Sequence, residues 1–459
     1  MNSAPPTREF SRLALNILST LTRIMVAVGL GFVTSILVAR TLGPELNGRY
    51  AMALLMPALL AQVLNLGVGP ANIFYLGGDR VDLRTARRTT ERLLWVMSAI
   101  GCAIGAGVII WCADVWLPGI PAELLWLALA TLPLTLWLTV NSAILQGLQD
   151  FAAFNRVQLA KPAVLLLAVT ALVWIANLGP SGAIVSQVLS SGVALFALSH
   201  ALHQHSRSPR QKVTDGTSEF SGSYGRHLLG YGWKAHLSNI LTFLNYRADM
   251  FLLNALADAS QVGVYTVAVG IAERIWLLSQ AVSAVLFPRL SELHAGSGDV
   301  EAVAARVARN VLWLAAISGA ALSLVTPVLV GVFFGPQYKL AANAIVLLMP
   351  GIVASAMARV LANDLSARGR PELNAYAAVG VVCINIGANL LLIPRLGLRG
   401  AALATSLAYS VNAIIKLVLY LRLSGQQLRG VLVPTREDLV LFGATARLIV
   451  DRIRNAGSQ

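Results

Sequence analysis

The sequence predicts an all-α polytopic membrane protein of about twelve transmembrane helices, in two six-helix lobes related by a parallel pseudo-two-fold repeat. Three observations carry that prediction. The 459 residues are 56% hydrophobic and only 12% charged, about half the charge of an ordinary soluble domain, and the mean hydropathy is +0.70. Apolar runs repeatedly reach the roughly 20 residues that cross a bilayer. Lys and Arg gather on alternate connections between those runs.

The runs fall at 13–39, 48–75, 93–113, 122–145, 157–178, 182–202, 232–257, 262–288, 309–334, 341–366, 374–393 and 400–422. Residues 1–12 are polar and lead into a span too long for a signal-peptide core, so the first helix is expected to stay. The second connection alone holds Arg80, Arg84, Arg87, Arg88 and Arg92. Counted with the first or last turns of the flanking runs, the amino terminus, the even-numbered connections and the tail hold 25 of the 35 Lys and Arg, whereas the odd connections hold Arg40, Arg49, Lys339, Arg395 and Arg399. The positive-inside rule therefore places both termini in the cytoplasm. The expected organisation is a lobe at 13–202, a cytoplasmic linker at 203–231, a lobe at 232–422 and a cytoplasmic tail at 423–459. In that tail Pro434, Glu437 and Asp438 suit a helix start, and Arg447, Asp451 and Arg454 recur at helical spacing opposite Leu448 and Ile449. An amphipathic surface helix and a simple solvated or frayed tail both fit.

The two halves of the chain echo each other. TLGPELNGRYAMA from Thr41 returns as LADASQVGVYTVA from Leu256, pairing Gly48 with Gly263 and Tyr50 with Tyr265. NLGPSGA from Asn177 returns as RLGLRGA from Arg395, and Pro133 pairs with Pro350. A duplicated unit of six spans is expected. Six is even, so both copies enter from one side and the repeat axis lies along the membrane normal, the architecture of a rocking transporter.

Several classes of function are excluded or disfavoured. The chain has no GxxxxGK[ST] phosphate loop and no HExxH or other metal-ligand cluster, so no metal or cofactor is expected. Cys102, Cys112 and Cys383 stand alone in apolar stretches and read as packing residues. The net charge of +14 is spread over connections rather than gathered on one module, which speaks against a nucleic-acid partner. Membrane polymerases and ligases would want a large external loop, and the longest polar insertion, His203 to Gly225, is internal. An enzyme is not expected.

The segments ILVARTLGPELNGRYAMA, YRADMFLLNALADASQVGVYTVA, LFPRLSEL and NIGANLLLIPRLGLRGAALATSLAY together resemble the polysaccharide-transporter branch of the multidrug/oligosaccharidyl-lipid/polysaccharide exporter superfamily. These are the Wzx-type flippases, and the resemblance covers residues 13–422. It implies a V-shaped pair of six-helix bundles in a bacterial plasma membrane, carrying a polyprenyl-pyrophosphate-linked oligosaccharide to the outer leaflet by alternating access. It implies as partners the lipid-linked oligosaccharide, membrane lipids and polysaccharide polymerase machinery. Asp249 stands where the family has an Asp in an N-x-D-x-x-L-L-like stretch, with Arg247 replacing the Asn.

Ionisable groups within spans cost about 2.5–3.5 kcal/mol each at a helix centre and need a cavity or a partner. Arg23 lies roughly 12 Å into its span at 1.5 Å per residue, and Arg247 and Arg274 come out near mid-depth. A guanidinium fork matches phosphate oxygens bidentately, so Arg23, Arg247 and Arg274 are candidates to grip the pyrophosphate, with Arg359 nearer the cytoplasmic end to help it enter. Asp249 and Glu273 are candidates for ion coupling or charge pairing; the alternative is that the arginines pair with these acids across helices and fix packing. Lys416 reads as snorkelling to the inner surface. Asn72, Asn141, Asn385 and Asn389 suit sugar binding or, more often, interhelical hydrogen bonds. Pro57, Pro70, Pro133, Pro162, Pro327 and Pro350 are expected to favour kinks. Two other functions remain open: a drug or metabolite antiporter of the same superfamily, which would want more carboxylates, and a membrane glycan polymerase or ligase.

Overall fold

The structure is a computed structural model that describes residues 6–78, 80–207, 224–277, 279, 300–435 and 438. Its regular elements are helices: α1 (Pro6–Leu64), α2 (Val68–Gly77), α3 (Leu83–Gly107), α4 (Ala113–Trp116), α5 (Ala122–Leu129), α6 (Thr131–Gly147), α7 (Phe151–Val169), α8 (Gly179–Arg207), α9 (Tyr224–Leu256), α10 (Ala259–Ala272), α11 (Val300–Phe333), α12 (Lys339–Ala367), α13 (Pro371–Leu396), α14 (Leu398–Ser424) and α15 (Leu428–Leu432). Among the described residues, nine stretches are long and apolar enough to cross a bilayer. This is a multi-pass membrane protein. A helical chain satisfies its backbone polar groups within each segment, as hydrocarbon demands. The linker over 208–223, the eighth-span end LFPRLSEL and the tail residues Arg447, Leu448, Ile449, Asp451 and Arg454 lie outside the described residues.

Local chemistry explains where elements start and stop. The 59 residues of α1 contain one non-helical position, Gly43, at φ 71° and ψ 174°. A side chain there would be strained, and Pro44 behind it opens a new helical segment where its missing N–H is harmless. The expected turn between 39 and 48 is this reversal. The second run does not continue unbroken to 75. Asn65 folds back, its side chain accepting from Gly67 N at 3.0 Å, Leu66 and Gly67 take positive φ, and α2 starts afresh at Val68. Residue 67 needs to be glycine, since a Cβ there would overlap the Gly232 carbonyl of α9. Pro70 and Pro133 sit in the first turns of α2 and α6, each just after an interruption of the helix, at 65–67 and at Ala130, so the missing N–H falls at a break in the chain's course. Pro57, Pro162, Pro327 and Pro350 are interior as expected. Asp82 and Asp150 cap α3 and α7 by accepting from Thr85 N at 2.8 Å and Ala153 N at 2.9 Å. Helix α9 begins at Tyr224, earlier than the expected 232.

The helices form two compact units. One comprises Met1–Ala268, Val328–Ala341 and Asn389–Ala401; the other comprises Val269–Pro327, Ala342–Ala388 and Ala402–Gln459. In the first, α1, α7 and α8 pack together and α2 lies against α6, around a core of Val38, Leu42, Val169, Val173 and Ala183. In the second, Gly351 of α12 meets Ser406 of α14 backbone to backbone, and Gly351 N donates to Ser406 Oγ at 3.0 Å. Small residues let membrane helices approach this closely.

The end of the second unit is pinned by an ion pair distant in sequence. Arg309 of α11 donates from Nε to Asp438 at 2.7 Å, with the two side chains only 7% and 2% exposed, and also donates to the Gly430 carbonyl. Thr435 and Asp438 form a reciprocal capping box, Thr435 N donating to Asp438 at 2.8 Å. Burial pushes the Asp438 carboxyl up, but the bonds from Arg309 and Thr435 overcome this and hold it well below the usual carboxylate range. A lowered folded pKa stabilises above the unfolded value, about 3.9, and is lost as pH falls through the folded one. Docking of residues 428–435 through Asp438 is therefore expected to be constant from neutral pH down to about pH 4 and to fail only in stronger acid. Asp438→Ala leaves Arg309 buried without this carboxylate, a cost of about 3–5 kcal/mol, and is expected to expose the segment to limited proteolysis at neutral pH.

Candidate functional site

The residues that the sequence singles out are divided between the units. In the first, Arg23 on α1 is half-buried, with its guanidinium 5.6 Å from the ring centre of Phe154. Its Nε is buried with no hydrogen-bond partner among the described residues. Arg247 on α9 is half-buried and donates to the Tyr246 carbonyl at 3.0 Å. Asp249 is 1% exposed; it accepts from the Tyr265 hydroxyl at 2.6 Å and from Met250 N at 2.8 Å. That bond ties α9 to α10.

In the second unit Glu273 and Arg274 share the 3-10 turn Glu273–Ile275 that follows α10, and Arg274 Nε donates to the Gly270 carbonyl at 3.1 Å. Arg359 on α12 lies over Trp276, 4.1 Å from the ring centre. Trp276 is fixed in turn: its indole N–H donates to Ser355 Oγ at 2.7 Å, and its ring meets Tyr409 of α14 at 5.6 Å. Arg359 thus lies against the segment carrying Glu273 and Arg274. Lys416 is half-buried on α14, in the field of Arg359. A guanidinium held over an aromatic ring still carries N–H donors that an anion can meet.

The other notable construction closes the arginine-poor end of the first unit. Asn47 Nδ2 donates to the Gly263 carbonyl at 3.2 Å. The helices around it touch reciprocally: a Cβ added to Gly48 would overlap the Ala259 carbonyl, and one added to Gly263 would overlap the Pro44 carbonyl. Residue 44 stands to 48 as 259 stands to 263, so the contact has the form of a two-fold contact, in which each segment touches the other through the same positions. Around it Tyr338 OH donates to the Ala39 carbonyl at 3.0 Å, Leu398 N donates to Gln261 Oε1 at 2.8 Å, and Asn254 Nδ2 donates to the Pro118 carbonyl at 3.1 Å. Phe32 packs edge-on to Phe333 and Phe334. Turns from both halves of the chain close over one another here. The motifs NLGPSGA and RLGLRGA make the same kind of turn, with positive φ at Gly179 and Gly397 and a crowded glycine three residues on.

Sequence reasoning missed Phe154 beside Arg23 and Trp276 beneath Arg359, because nothing local marks an aromatic that stacks on a distant arginine. It paired Gly48 with Gly263 in the expected repeat, and that pairing was the available signal for their contact. Asn72 proves to be an interhelical anchor, donating to Thr90 Oγ1 at 3.0 Å and accepting from Tyr224 OH at 3.0 Å.

Comparison with known proteins places this geometry in context. The model of a family described as "Polysaccharide biosynthesis protein" matches residues 37–343. A Haloferax volcanii protein named as a low-salt glycan biosynthesis flippase, Agl15, is 24% identical over 206 residues, 44% of each chain, so the chain spans less than half the length of that relative. A Shigella flexneri protein named as an O-antigen transporter is 20% identical over 407 residues, covering 84% of this chain and 92% of its own. The structure of the lipid II flippase MurJ in an inward closed conformation superposes with a TM-score of 0.73 at 15% identity, covering 88% of this chain and 87% of that one. At that identity the likeness is one of fold, a membrane transporter fold.

Proposed function

Because the chain belongs to the polysaccharide biosynthesis protein family, we propose that it carries a polyprenyl-pyrophosphate-linked oligosaccharide from the cytoplasmic to the outer leaflet of a bacterial plasma membrane, by alternating access, for surface polysaccharide assembly. The observation that carries this reading is Arg23: a guanidinium inside an apolar helix, with a buried Nε that finds no partner among the described residues. Such a group is costly in hydrocarbon unless an anion visits it. Arg23, Arg247, Arg274 and Arg359 serve as donors to the pyrophosphate, and Asp249 and Glu273 act in charge pairing or ion coupling. The lobes at 13–202 and 232–422 rock, with both termini in the cytoplasm and the arginine-poor turns outside. Polymerase machinery consumes the product. The names of the relatives, a glycan biosynthesis flippase and an O-antigen transporter, support the substrate class.

Gene deletion in the host tests the reading. Loss of one surface glycan, with its lipid-linked intermediate trapped facing the cytoplasm, is the expected result. Intact glycans with heightened drug sensitivity would move the protein to the antiporter reading, whose cationic substrates call for carboxylates.

A further inference from the structure

The arginine-rich end of the first unit carries an aromatic construction that the transport reading does not use. The turn from α2 to α3 brings Arg80 back over Phe74, 4.6 Å from the ring centre. Tyr231 of α9 stacks on the same ring, 4.6 Å away at 13°. Phe74 is thus packed by both a guanidinium and a phenol ring. The turn permits this because Gly78 has no side chain: a Cβ there would crowd Arg80 Nε at 3.3 Å.

A packed floor supports the stack. Tyr75 meets Phe74 edge-on at 5.2 Å and Tyr224 at 5.7 Å, and Tyr224 donates to Asn72, which exchanges hydrogen bonds with Thr90. Tyr224, Asn72 and Thr90 are all buried. Helix α9 meets α1 beside this floor, where His236 Nε2 lies 2.7 Å from the Val63 carbonyl oxygen. The top is open by contrast: Phe74 is 38% and Tyr231 41% exposed, and Arg80 is exposed, with Arg84, Arg88 and Arg92 exposed along the neighbouring first turns of α3.

A preorganised aromatic stack left open among arginines suits a ligand with an apolar ring face and an anion side by side. The Arg80 guanidinium beside the ring offers N–H donors to phosphate oxygens. The Tyr231 ring offers a flat surface to the C–H face of a pyranose, with a hydroxyl at its rim for sugar hydroxyls. We propose that Arg80, Phe74 and Tyr231 form a recognition platform for a glycosyl phosphate, the head group of a lipid-linked saccharide, at the arginine-rich end of the first unit. The proposal rests on the transport reading above and adds to it the place where the sugar itself is read.

A phospholipid head group shares the phosphate but lacks the sugar, so the test separates the two. The full-length protein in detergent is titrated, by native mass spectrometry, with polyprenyl pyrophosphate bearing one N-acetylglucosamine, with bare polyprenyl pyrophosphate, and with phosphatidylglycerol. Wild type is expected to prefer the glycosylated lipid about fivefold, the size of one stacking contact. Tyr231→Leu is expected to erase that preference while bare-lipid binding stays within about twofold, and Arg80→Gln to weaken both pyrophosphate lipids about tenfold. Tyr231→Trp, which keeps the stack, controls for misfolding and should keep the preference. A sugar preference that survives Tyr231→Leu overturns the platform. So does phosphatidylglycerol binding as tightly as the glycosylated lipid and falling in the same variants, which would make this a phospholipid site. If wild type binds neither pyrophosphate lipid, the transport reading fails first.

Discussion

Arg23→Ala is expected to slow translocation of the lipid-linked saccharide about thirtyfold or more, with normal expression and membrane insertion. Arg23 sits within an apolar helix, partly covered by Phe154 at 5.6 Å, with Nε buried. Losing one partner from a desolvated, charge-assisted contact costs about 2–5 kcal/mol, and each 1.4 kcal/mol is tenfold. Arg23→Lys keeps the charge and loses the planar fork, so it is expected to fall between the two. Arg247→Ala and Arg274→Ala should each lower the rate in the same assay. If all three alanine variants express normally and translocate at the wild-type rate, the phosphate grip is wrong.

Gly48→Val is expected to stop transport with the arginine-poor end held open. At this contact the clash is with the Ala259 carbonyl and its backbone, which cannot rotate away as a side chain does, so Pro44–Gly48 and Ala259–Gly263 must separate. The consequence is measurable at Tyr338, which is fully buried while it donates to the Ala39 carbonyl. A cysteine placed by Tyr338→Cys is expected to resist a membrane-impermeant maleimide in the otherwise wild-type protein and to react at least tenfold faster with Gly48→Val also present. Gly263→Val, on the other side of the reciprocal contact, should do the same. Equal labelling with and without the valine would show that this contact does not hold the end closed.

How far these features were legible depends on how local their causes are. Apolar runs of bilayer length are written in neighbouring residues, and nine such stretches are found among the described residues. Gly43 with Pro44 was legible as a turn for the same reason. The break at 65–67 was not read, although Asn65, Gly67, Gly69 and Pro70 are turn residues; the close approach of Gly232 that excludes a Cβ at Gly67 lies far along the chain. The early start of α9 was hidden likewise, since Tyr224 is held by Asn72. At the candidate site the arginines were legible because charge in an apolar run is conspicuous, but their aromatic neighbours were not. Phe154, Trp276 and the Phe74–Tyr231 stack are ordinary apolar residues in sequence and gain their roles only where helices meet. The partnership of Arg309 with Asp438 across 129 residues had no signal beyond the acidic helix start of the tail.

The most direct test of the central claim is leaflet exchange in vesicles containing only the purified protein. A fluorescent polyprenyl pyrophosphate bearing a short saccharide is placed in both leaflets, and an impermeant reductant quenches whatever reaches the outer one. Protein-dependent quenching beyond the outer-leaflet half, slowed by Arg23→Ala and absent for a fluorescent phospholipid, is the predicted result. Quenching that stops at the outer-leaflet half, as in protein-free vesicles, would contradict the account.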